Sequence, residues 1–341
     1  MKAARIHAYG KPLVVEDVPK PAAGPGEVVV RVEGAGFCHS DLHILGGEIP
    51  ILPRMPLILG HENAGRVAEV GPGVTTVKPG DPVAVYGGWG CRSCDICVGG
   101  EEQLCPAARW AGLSNYDGGY AEYLLVPDER YLVPLKVLEP RAAAPLTDAA
   151  LTPYRAVRRA LPYIHPDHAV LAIGIGGLGQ YGVKLLRLLS GAPIIAVDTD
   201  AKKRELACSY GATHALDPAD PELAAQVQAL SGGGVSAAFD FVGAESTLAL
   251  ALGATRSGGK VTQIGLAGGT ARLKVLETTR FEVTFEATLW GTIRELREVV
   301  AMVENGHLTP IETEYVPLDQ INAVAERVKS GDVMGRMVIV P

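Results

Sequence analysis

Four closely spaced cysteines are the clearest chemical feature of the sequence. They are Cys91, Cys94, Cys97 and Cys105, in the pattern C-x2-C-x2-C-x7-C. Four thiolates this close together can surround one Zn²⁺ as a tetrahedron, and such a saturated site leaves no position for a substrate. The spacing therefore predicts a structural zinc. An iron–sulfur cluster is the alternative, but the corresponding ferredoxin pattern has about three residues before its last cysteine rather than seven.

A second group of possible metal ligands lies nearer the start of the chain. Cys38 falls within the segment Gly36–His43, and His61 and Glu62 follow a glycine. One cysteine, one histidine and a carboxylate from elsewhere would leave the fourth zinc position open, as in a catalytic zinc site. Each residue alone is a weak signal, because isolated cysteines are most often small buried hydrophobes.

A glycine-rich turn between two apolar runs predicts a dinucleotide site. Val170–Ile173 is followed by Gly174-Ile-Gly-Gly-Leu-Gly179, a helical pattern, and a second apolar run that ends at Asp198. The glycines allow a tight turn, close approach to a pyrophosphate, and close packing of helix on strand. Asp198 is placed to bind the adenosine ribose, and its charge favours NAD over NADP, although basic residues at 202–204 weaken that preference. The alternative is a glycine turn that binds no nucleotide.

The whole-chain composition limits the classes of function. A length of 341 residues, 48% of them hydrophobic, is enough for two domains with separate cores. A net charge of −7 without a dense basic cluster argues against binding to nucleic acid or acidic membranes. The first residues lack the apolar core of a signal peptide, and no apolar run reaches membrane-spanning length. We therefore expect a cytoplasmic protein whose cysteines bind metal rather than form disulfides.

The elements that must position these residues differ along the chain. The first 150 residues contain short strands separated by glycine and proline turns, which predict a β-rich, barrel-like domain. The predicted strands are Glu27–Glu33, Gly65–Val70, Asp81–Tyr86 and Tyr120–Val126. From about residue 151, strands and helices alternate, which predicts a doubly wound parallel sheet. The later helices predicted in this part of the chain are Lys202–Tyr210, Pro221–Leu230 and Glu245–Ala254, and the later strands are Val235–Phe241 and Lys260–Gly265. Past about residue 290, the sequence predicts two more helices, Thr292–Glu304 and Leu318–Lys329, and a closing strand, Arg336–Val340.

Taken together, these motifs resemble those of the zinc-containing alcohol dehydrogenases of the medium-chain dehydrogenase/reductase superfamily. The resemblance covers essentially the whole chain. It rests on Gly36-x-Cys38-x-Ser40-Asp41, Gly60-His61-Glu62, the four-cysteine segment, the glycine turn and Gly335-Arg336. Ala144–Asp148 and Leu289–Thr292 add a likeness to bacterial and archaeal enzymes that act on secondary alcohols and ketones.

The fold implied by this resemblance is α/β. It has a GroES-like, β-rich catalytic domain of residues 1–150 and 291–341, and a Rossmann NAD-binding domain of residues 151–290. The active site is expected between the two domains.

The resemblance also implies roles around a catalytic zinc. Cys38, His61 and Asp148 match zinc ligands, with Asp148 standing where many members have a second cysteine; the alternative is that Asp148 caps a helix. Glu62 resembles an acid that can approach the metal, and Asp41 resembles the partner of the ligand histidine. In such a site zinc lowers the pKa of the alcohol, so that hydride can pass to the nicotinamide.

Further residues match the family's proton relay, cofactor contacts and substrate pocket. Ser40 and His43 match the relay, with a helix cap and a surface histidine as the respective alternatives. The implied cofactor contacts are Gly174, Gly176, Gly177, Leu178, Gly179, Asp198, Lys203, His39, Thr152 and Arg336. The implied substrate pocket contains Ser40, Ile44, Trp110 and Trp290, although a core or interface role is the alternative for the last three.

The function implied is an NAD-dependent alcohol dehydrogenase with two zinc ions per chain, one catalytic and one structural. Secondary alcohols and their ketones are the favoured substrates, and a dimer or tetramer is expected. The alternatives are a polyol or threonine dehydrogenase of the same superfamily, or a catalytically inactive zinc- and nucleotide-binding protein. The joint presence of Cys38, Ser40, His43 and His61 argues against an inactive protein.

Overall fold

The structure is a computed structural model that describes all 341 residues. The chain forms two compact units, Met1–Leu151 with Gly291–Pro341, and Thr152–Trp290. The strands are β1 (Lys2–Ile6), β2 (Val14–Asp17), β3 (Val28–Gly36), β4 (Leu57–Ile58), β5 (Glu62–Val70), β6 (Pro82–Val85), β7 (Gly88–Trp89), β8 (Arg109–Trp110), β9 (Tyr123–Val126), β10 (Leu132–Pro134), β11 (Val170–Ile173), β12 (Ile194–Val197), β13 (His214–Leu216), β14 (Val235–Asp240), β15 (Thr255–Gln263), β16 (Thr284–Ala287), β17 (Thr313–Pro317) and β18 (Arg336–Val340).

The helices are mostly short and lie between these strands. The α-helices are α1 (His39–Gly46), α2 (Asp95–Val98), α3 (Pro140–Ala143), α4 (Leu151–Ala160), α5 (Gly177–Leu189), α6 (Ala201–Ser209), α7 (Leu223–Leu230), α8 (Glu245–Ala254), α9 (Val275–Phe281), α10 (Ile293–Glu304) and α11 (Ile321–Ser330). Single 3₁₀ turns lie at Glu102–Leu104, Glu129–Tyr131, Ala144–Thr147, Leu161–Tyr163 and Leu318–Gln320. None of the helices is both long enough and apolar enough to cross a membrane.

The first unit is built mainly from antiparallel sheets. Its largest sheet has the strand order β10-β6-β5-β3-β18-β17, and β9 also pairs with β3. A smaller sheet has the order β2-β1-β4, and β7 pairs with β8. Valines and alanines of β3, β5 and β6 fill the interior. This architecture confirms the predicted GroES-like, β-rich fold.

The pairing of β3 with β5 brings distant parts of the sequence together. Gly36 at the end of β3 is directly opposite Glu62 at the start of β5. Cys38 follows one strand and His61 precedes the other, so both lie at the same end of the sheet. Glycine is required at position 36, because an added Cβ would lie 1.9 Å from a Glu62 carboxylate oxygen. Strand β18 pairs with the same end of β3, which places Arg336 nearby.

The second unit is a six-stranded parallel sheet with the order β13-β12-β11-β14-β15-β16. The order reverses between β11 and β14, which is the doubly wound Rossmann arrangement. All four residues of β11 and of β12 are buried, as expected for strands covered on both faces. The predicted Rossmann fold is thus confirmed. In sheets of this order, ligands bind beyond the carboxyl ends of the strands, where the order reverses.

Candidate metal centres and cofactor site

The first possible metal centre joins Cys38, His61, Glu62 and Asp148. Each offers a ligand atom, and these atoms lie within 4.8 Å of one another. Asp148 Oδ2 is 3.8 Å from Cys38 Sγ and 3.5 Å from His61 Nε2. A tetrahedral zinc with bonds of about 2.0–2.3 Å needs donors separated by about 3.3–3.8 Å. These three donors therefore have the chemistry and spacing of a zinc site.

The local structure explains how the three donors meet. Cys38 is the residue before α1, in extended backbone. His61 follows Gly60, whose φ of +98° favours glycine and whose added Cβ would contact the Tyr120 ring at 2.7 Å. Asp148 follows the 3₁₀ turn Ala144–Thr147, while α4 begins only at Leu151. The Asp148 carboxylate is directed towards Cys38 and His61, which favours the ligand role over the helix cap.

The buried carboxylate of Asp41 supports this centre from behind. Its Oδ1 lies 3.4 Å from His61 Nδ1, and its Oδ2 accepts a hydrogen bond from the Cys38 backbone N–H at 2.9 Å. The resemblance implied this contact between Asp41 and His61. The hydroxyl of Tyr120 donates to the same Oδ2 at 2.7 Å. Sequence reasoning missed Tyr120, because its segment indicated only a strand.

The charges around this centre shift one another's pKa values. Burial lowers the pKa of His61, but Asp41, Asp148 and Cys38 outweigh burial and raise it well above its ordinary value. Metal binding requires the neutral imidazole, so zinc would displace that proton. Burial raises the pKa of Glu62 to about 7, against the opposing effect of Arg336.

A buried ion pair joins Glu62 to Arg336. Arg336 Nε donates to Glu62 Oε2 at 3.0 Å, and its Nη2 forms a second contact with Oε1. The side chain of Glu62 is fully buried, and that of Arg336 is 7% exposed. Glu62 thus lies within the donor group, as the resemblance implied, but its carboxylate is held by the guanidinium predicted to contact the cofactor.

The four cysteines form the second possible metal centre. Their sulfur atoms lie within 4.8 Å of one another, with Cys91 and Cys97 3.9 Å apart and Cys94 and Cys105 3.8 Å apart. A tetrahedron with Zn–S bonds of about 2.3 Å requires sulfur atoms about 3.8 Å apart. The four thiolates fit one zinc with no open position. Burial raises the pKa of the Cys97 thiol to about 12, and a bound zinc would keep it deprotonated.

The loop around these cysteines is shaped to hold them. Cys94 precedes the short helix α2, Cys97 lies within it, and Cys105 follows a 3₁₀ turn. An added Cβ at Gly90 would lie 2.5 Å from Cys97 Sγ, so the backbone approaches the sulfurs closely. Buried Tyr131 supports the loop by donating to the Gly90 carbonyl at 3.3 Å.

The glycine turn has the geometry of a phosphate site. Gly174 has a φ of +85°, and an added Cβ at Gly179 would lie 1.8 Å from the Gly174 carbonyl oxygen. Gly176 instead faces open space and precedes α5, whose first residues are Gly177, Leu178 and Gly179. A free helix N-terminus beside open space suits an anion. Gly182 was missed by the motif, although an added Cβ there would meet the Phe241 ring at 2.3 Å.

Asp198 is fixed beside this turn at the end of β12. Its Oδ2 accepts a hydrogen bond from Ile175 N–H at 2.6 Å, and its Oδ1 accepts one from Asp200 N–H at 2.8 Å. Arg204 is engaged elsewhere, with the Asp198 and Thr199 carbonyls and with Asp217. Lys203 lies in the first turn of α6.

The remaining predicted residues are distributed over several elements. Exposed His39, half-buried Ser40 and half-buried His43 all lie on α1, and His43 Nδ1 contacts the Glu48 carboxylate. Thr152 is buried in the first turn of α4.

The three apolar pocket candidates differ in exposure. Ile44 is only 2% exposed, which favours a core role over a substrate contact. Trp110 is half-buried in β8, and Trp290 is buried with a φ of +50°, an unusual conformation for a bulky residue.

Comparisons with known proteins match both units. The alcohol dehydrogenase GroES-like domain model matches residues 24–137, and the zinc-binding dehydrogenase model matches residues 177–305. An NAD-dependent alcohol dehydrogenase of Sulfurisphaera tokodaii is 35% identical over 350 residues, which cover 100% of both chains. A D-arabinose 1-dehydrogenase (NADP(+)) of Saccharolobus solfataricus is 36% identical over 345 residues, covering 100% of this chain and 97% of the relative.

Two solved structures are similar to this chain over its whole length. The alcohol dehydrogenase of Aeropyrum pernix superposes with a TM-score of 0.94 at 38% identity and covers 100% of both chains. The acetophenone reductase of Geotrichum candidum, solved in complex with NAD, superposes with a TM-score of 0.90 at 32% identity and covers 100% of this chain and 97% of its own.

Proposed function

The chain belongs to the zinc-containing alcohol dehydrogenases of the medium-chain dehydrogenase/reductase superfamily, and we propose that Cys38, His61 and Asp148 hold its catalytic zinc. The protein is an NAD-dependent alcohol dehydrogenase that transfers hydride between an alcohol and NAD(H). Its cofactors are NAD and two zinc ions per chain, and its substrates are small molecules. We assign the structural zinc to Cys91, Cys94, Cys97 and Cys105, and we assign catalysis to the first unit and NAD binding to the second.

When bound, zinc supplies Lewis acidity to the alcohol oxygen and NAD supplies the hydride acceptor. The chain's own residues orient the donors and move the proton. Asp41 holds the His61 ring through Nδ1, so that Nε2 faces Asp148. Glu62 lies behind the donors, with its charge balanced by Arg336.

Ser40 and His43 form the proposed proton relay. They are three residues apart on α1, so they share one face of that helix. The Ser40 hydroxyl can accept a proton from the alcohol and pass one on towards His43. Because His43 Nδ1 contacts Glu48, Nε2 is the ring atom left to exchange the proton.

The glycine turn and Asp198 form the proposed NAD site, with Gly174, Gly176, Gly177, Leu178 and Gly179 against the pyrophosphate and Asp198 against the adenosine ribose. Asp198 is charged and held in place, so it disfavours a 2′-phosphate. Arg204, which could have neutralised such a phosphate, already pairs with Asp217 at 2.9 Å. The same proposal includes Lys203, His39, Thr152 and Arg336 as weaker cofactor contacts.

The proposed substrates are secondary alcohols and their ketones. The observation that carries this proposal is the likeness over the whole chain to an acetophenone reductase, whose name identifies an apolar ketone as its substrate. Trp110 and Trp290 are the proposed apolar contacts. A polyol or sugar dehydrogenase is the second candidate, since the D-arabinose 1-dehydrogenase is 36% identical to this chain and the acetophenone reductase 32%.

Turnover of a substrate panel tests this proposal. We expect two zinc ions per chain, and kcat/KM for 2-butanol with NAD at least about tenfold above that for sorbitol, D-arabinose or threonine, because an apolar pocket leaves extra hydroxyls without partners. The readout is NADH absorbance, with NADP in parallel and zinc counted in the same samples. Faster turnover of D-arabinose with NADP would favour the second candidate, and no turnover of any alcohol would favour an inactive protein.

We propose that the protein forms homo-oligomers, as a dimer or tetramer, through the edge of its parallel sheet. Strand β16 is the last strand of that sheet. Large apolar side chains are exposed on and around it: Leu266, Leu273, Val275, Leu276, Phe281, Phe285 and Leu289. An uncovered apolar edge favours pairing with a second copy. A monomeric native mass at micromolar concentration would contradict this proposal. Because the five cysteines assigned to zinc must be reduced to bind it, we also propose a reducing, cytoplasmic location.

A further inference from the structure

The Asp41 carboxylate connects two zinc donors to a third residue that no motif includes. It is fully buried, and it contacts the Cys38 backbone, the His61 ring and the Tyr120 hydroxyl. The first two contacts fix the donors, whereas the third fixes Asp41 itself. The direction of the Asp41 carboxylate therefore depends on the position of the phenol.

Tyr120 is held rigidly by its own backbone and ring. The backbone N–H groups of residues 118–120 donate to the carbonyls of residues 58–60, immediately before His61, at 2.8–3.0 Å. The ring stacks on Phe37 with centroids 5.7 Å apart, immediately before Cys38. The side chain is fully buried, and burial raises its pKa well above the ordinary value, so the phenol keeps its proton.

We propose that Tyr120 is a positioning residue of the catalytic metal centre, whose hydroxyl fixes the Asp41 carboxylate and, through it, the His61 ring and the Cys38 backbone. This inference rests on the proposed assignment of Cys38, His61 and Asp148 as zinc ligands. The hydroxyl proton has two acceptors within reach, Asp41 Oδ2 at 2.7 Å and the Gly36 carbonyl at 3.2 Å. The shorter bond goes to the charged acceptor, as expected for a charge-assisted hydrogen bond.

The ring and the hydroxyl of Tyr120 have separable contributions. A phenylalanine keeps the stacking on Phe37 and fills the same volume, so it removes only the bond to Asp41. Without that bond the carboxylate can turn away from His61 Nδ1, and the donors are then less well prepared for zinc. Substituting a group that orients a metal ligand typically lowers metal affinity by about 10–100-fold. Tyr120 contacts Asp41 rather than a ligand side chain, so we expect an effect at the lower end of this range.

The test is zinc retention in Tyr120→Phe. The intact zinc-loaded protein is titrated with a chelator, and both zinc ions are counted. We expect half of the catalytic zinc to be lost at about tenfold lower chelator concentration than in the wild type, with the structural zinc unchanged. With Co²⁺ in place of the catalytic zinc, the visible absorption spectrum of Tyr120→Phe should differ from that of the wild type. Tyr131→Phe is the matched control for the catalytic zinc: it removes a buried phenol hydroxyl that supports the four-cysteine loop instead, so release of the catalytic zinc should match the wild type.

Wild-type chelator sensitivity in a folded Tyr120→Phe protein would overturn the proposal, as would equal loss of both zinc ions. Asp41→Asn provides a second route if Tyr120→Phe does not fold, because it weakens the same link from the other end; unchanged zinc retention there also overturns the proposal. In the double variant, the two losses should not add, since both act through one carboxylate. A wild-type protein that holds only one zinc would instead contradict the proposed ligand assignment.

Discussion

Replacing Cys38 with alanine is expected to abolish NADH formation while the protein stays folded and binds NAD. The substitution removes the only sulfur among the donors at the catalytic centre, so the variant should contain one zinc per chain, at the four cysteines. Lewis acidity at the alcohol oxygen contributes several kcal/mol to such reactions, so kcat should fall at least about a thousandfold. The measurements are NADH absorbance, zinc content and a fluorescence titration with NAD.

The structure makes alanine a mild change at this position. The hydrogen bond from Cys38 to Asp41 uses the backbone N–H, which alanine keeps. Cys208→Ala is the matched control, because that thiol is free and exposed on α6 and belongs to neither set of donors. It should retain wild-type turnover and two zinc ions. Full turnover in Cys38→Ala would show that the proposed ligand set is wrong.

The features predicted best from sequence are those whose parts lie close together along the chain. The four cysteines fall within one short segment, and the glycine turn joins strand β11 directly to helix α5. Their spacing already determines most of their geometry. The helix Glu245–Ala254 and the strands at 170–173 and 336–340 also have the predicted bounds.

The features that depend on contacts between distant strands were not accessible in the same way. Asp148 meets His61 only because the folded sheet and a 3₁₀ turn bring them together, and its role was implied by family resemblance rather than by spacing. Tyr120 reaches Asp41 through a pairing of residues 118–120 with 58–60, which no local pattern indicates. Ile44 is 2% exposed, and sequence alone does not separate its two predicted roles, because an apolar residue next to His43 looks the same whether it faces a substrate or the core.

Several strands were also missed for a physical reason. Strands β1, β2, β13, β16 and β17 have three to five residues each and mixed polar and apolar composition. Short strands of this kind are stabilised by the neighbours with which they pair rather than by their own residue preferences.

Arg336→Met is expected to destabilise the protein more than any change of a surface charge. It leaves the Glu62 carboxylate fully buried without its partner, and breaking a buried pair in this way typically costs about 3–5 kcal/mol. The measurement is the urea midpoint of the zinc-loaded protein. Arg327→Met is the matched control, because its two-bond pair with Glu314 lies on the surface, where the expected loss is under about 1 kcal/mol.

The double variant Glu62→Gln with Arg336→Met separates the two roles given to Arg336. Removing both charges leaves no unpaired buried ion, so stability should recover most of what Arg336→Met loses. Arg336→Met should also lower NAD affinity, because it removes the predicted contact of Arg336 with the pyrophosphate. That contact does not involve Glu62, so NAD affinity should remain below the wild-type value in the double variant. Recovery of both properties would mean that Arg336 only balances Glu62, and recovery of neither would mean that its packing, rather than its charge, supports this end of the sheet.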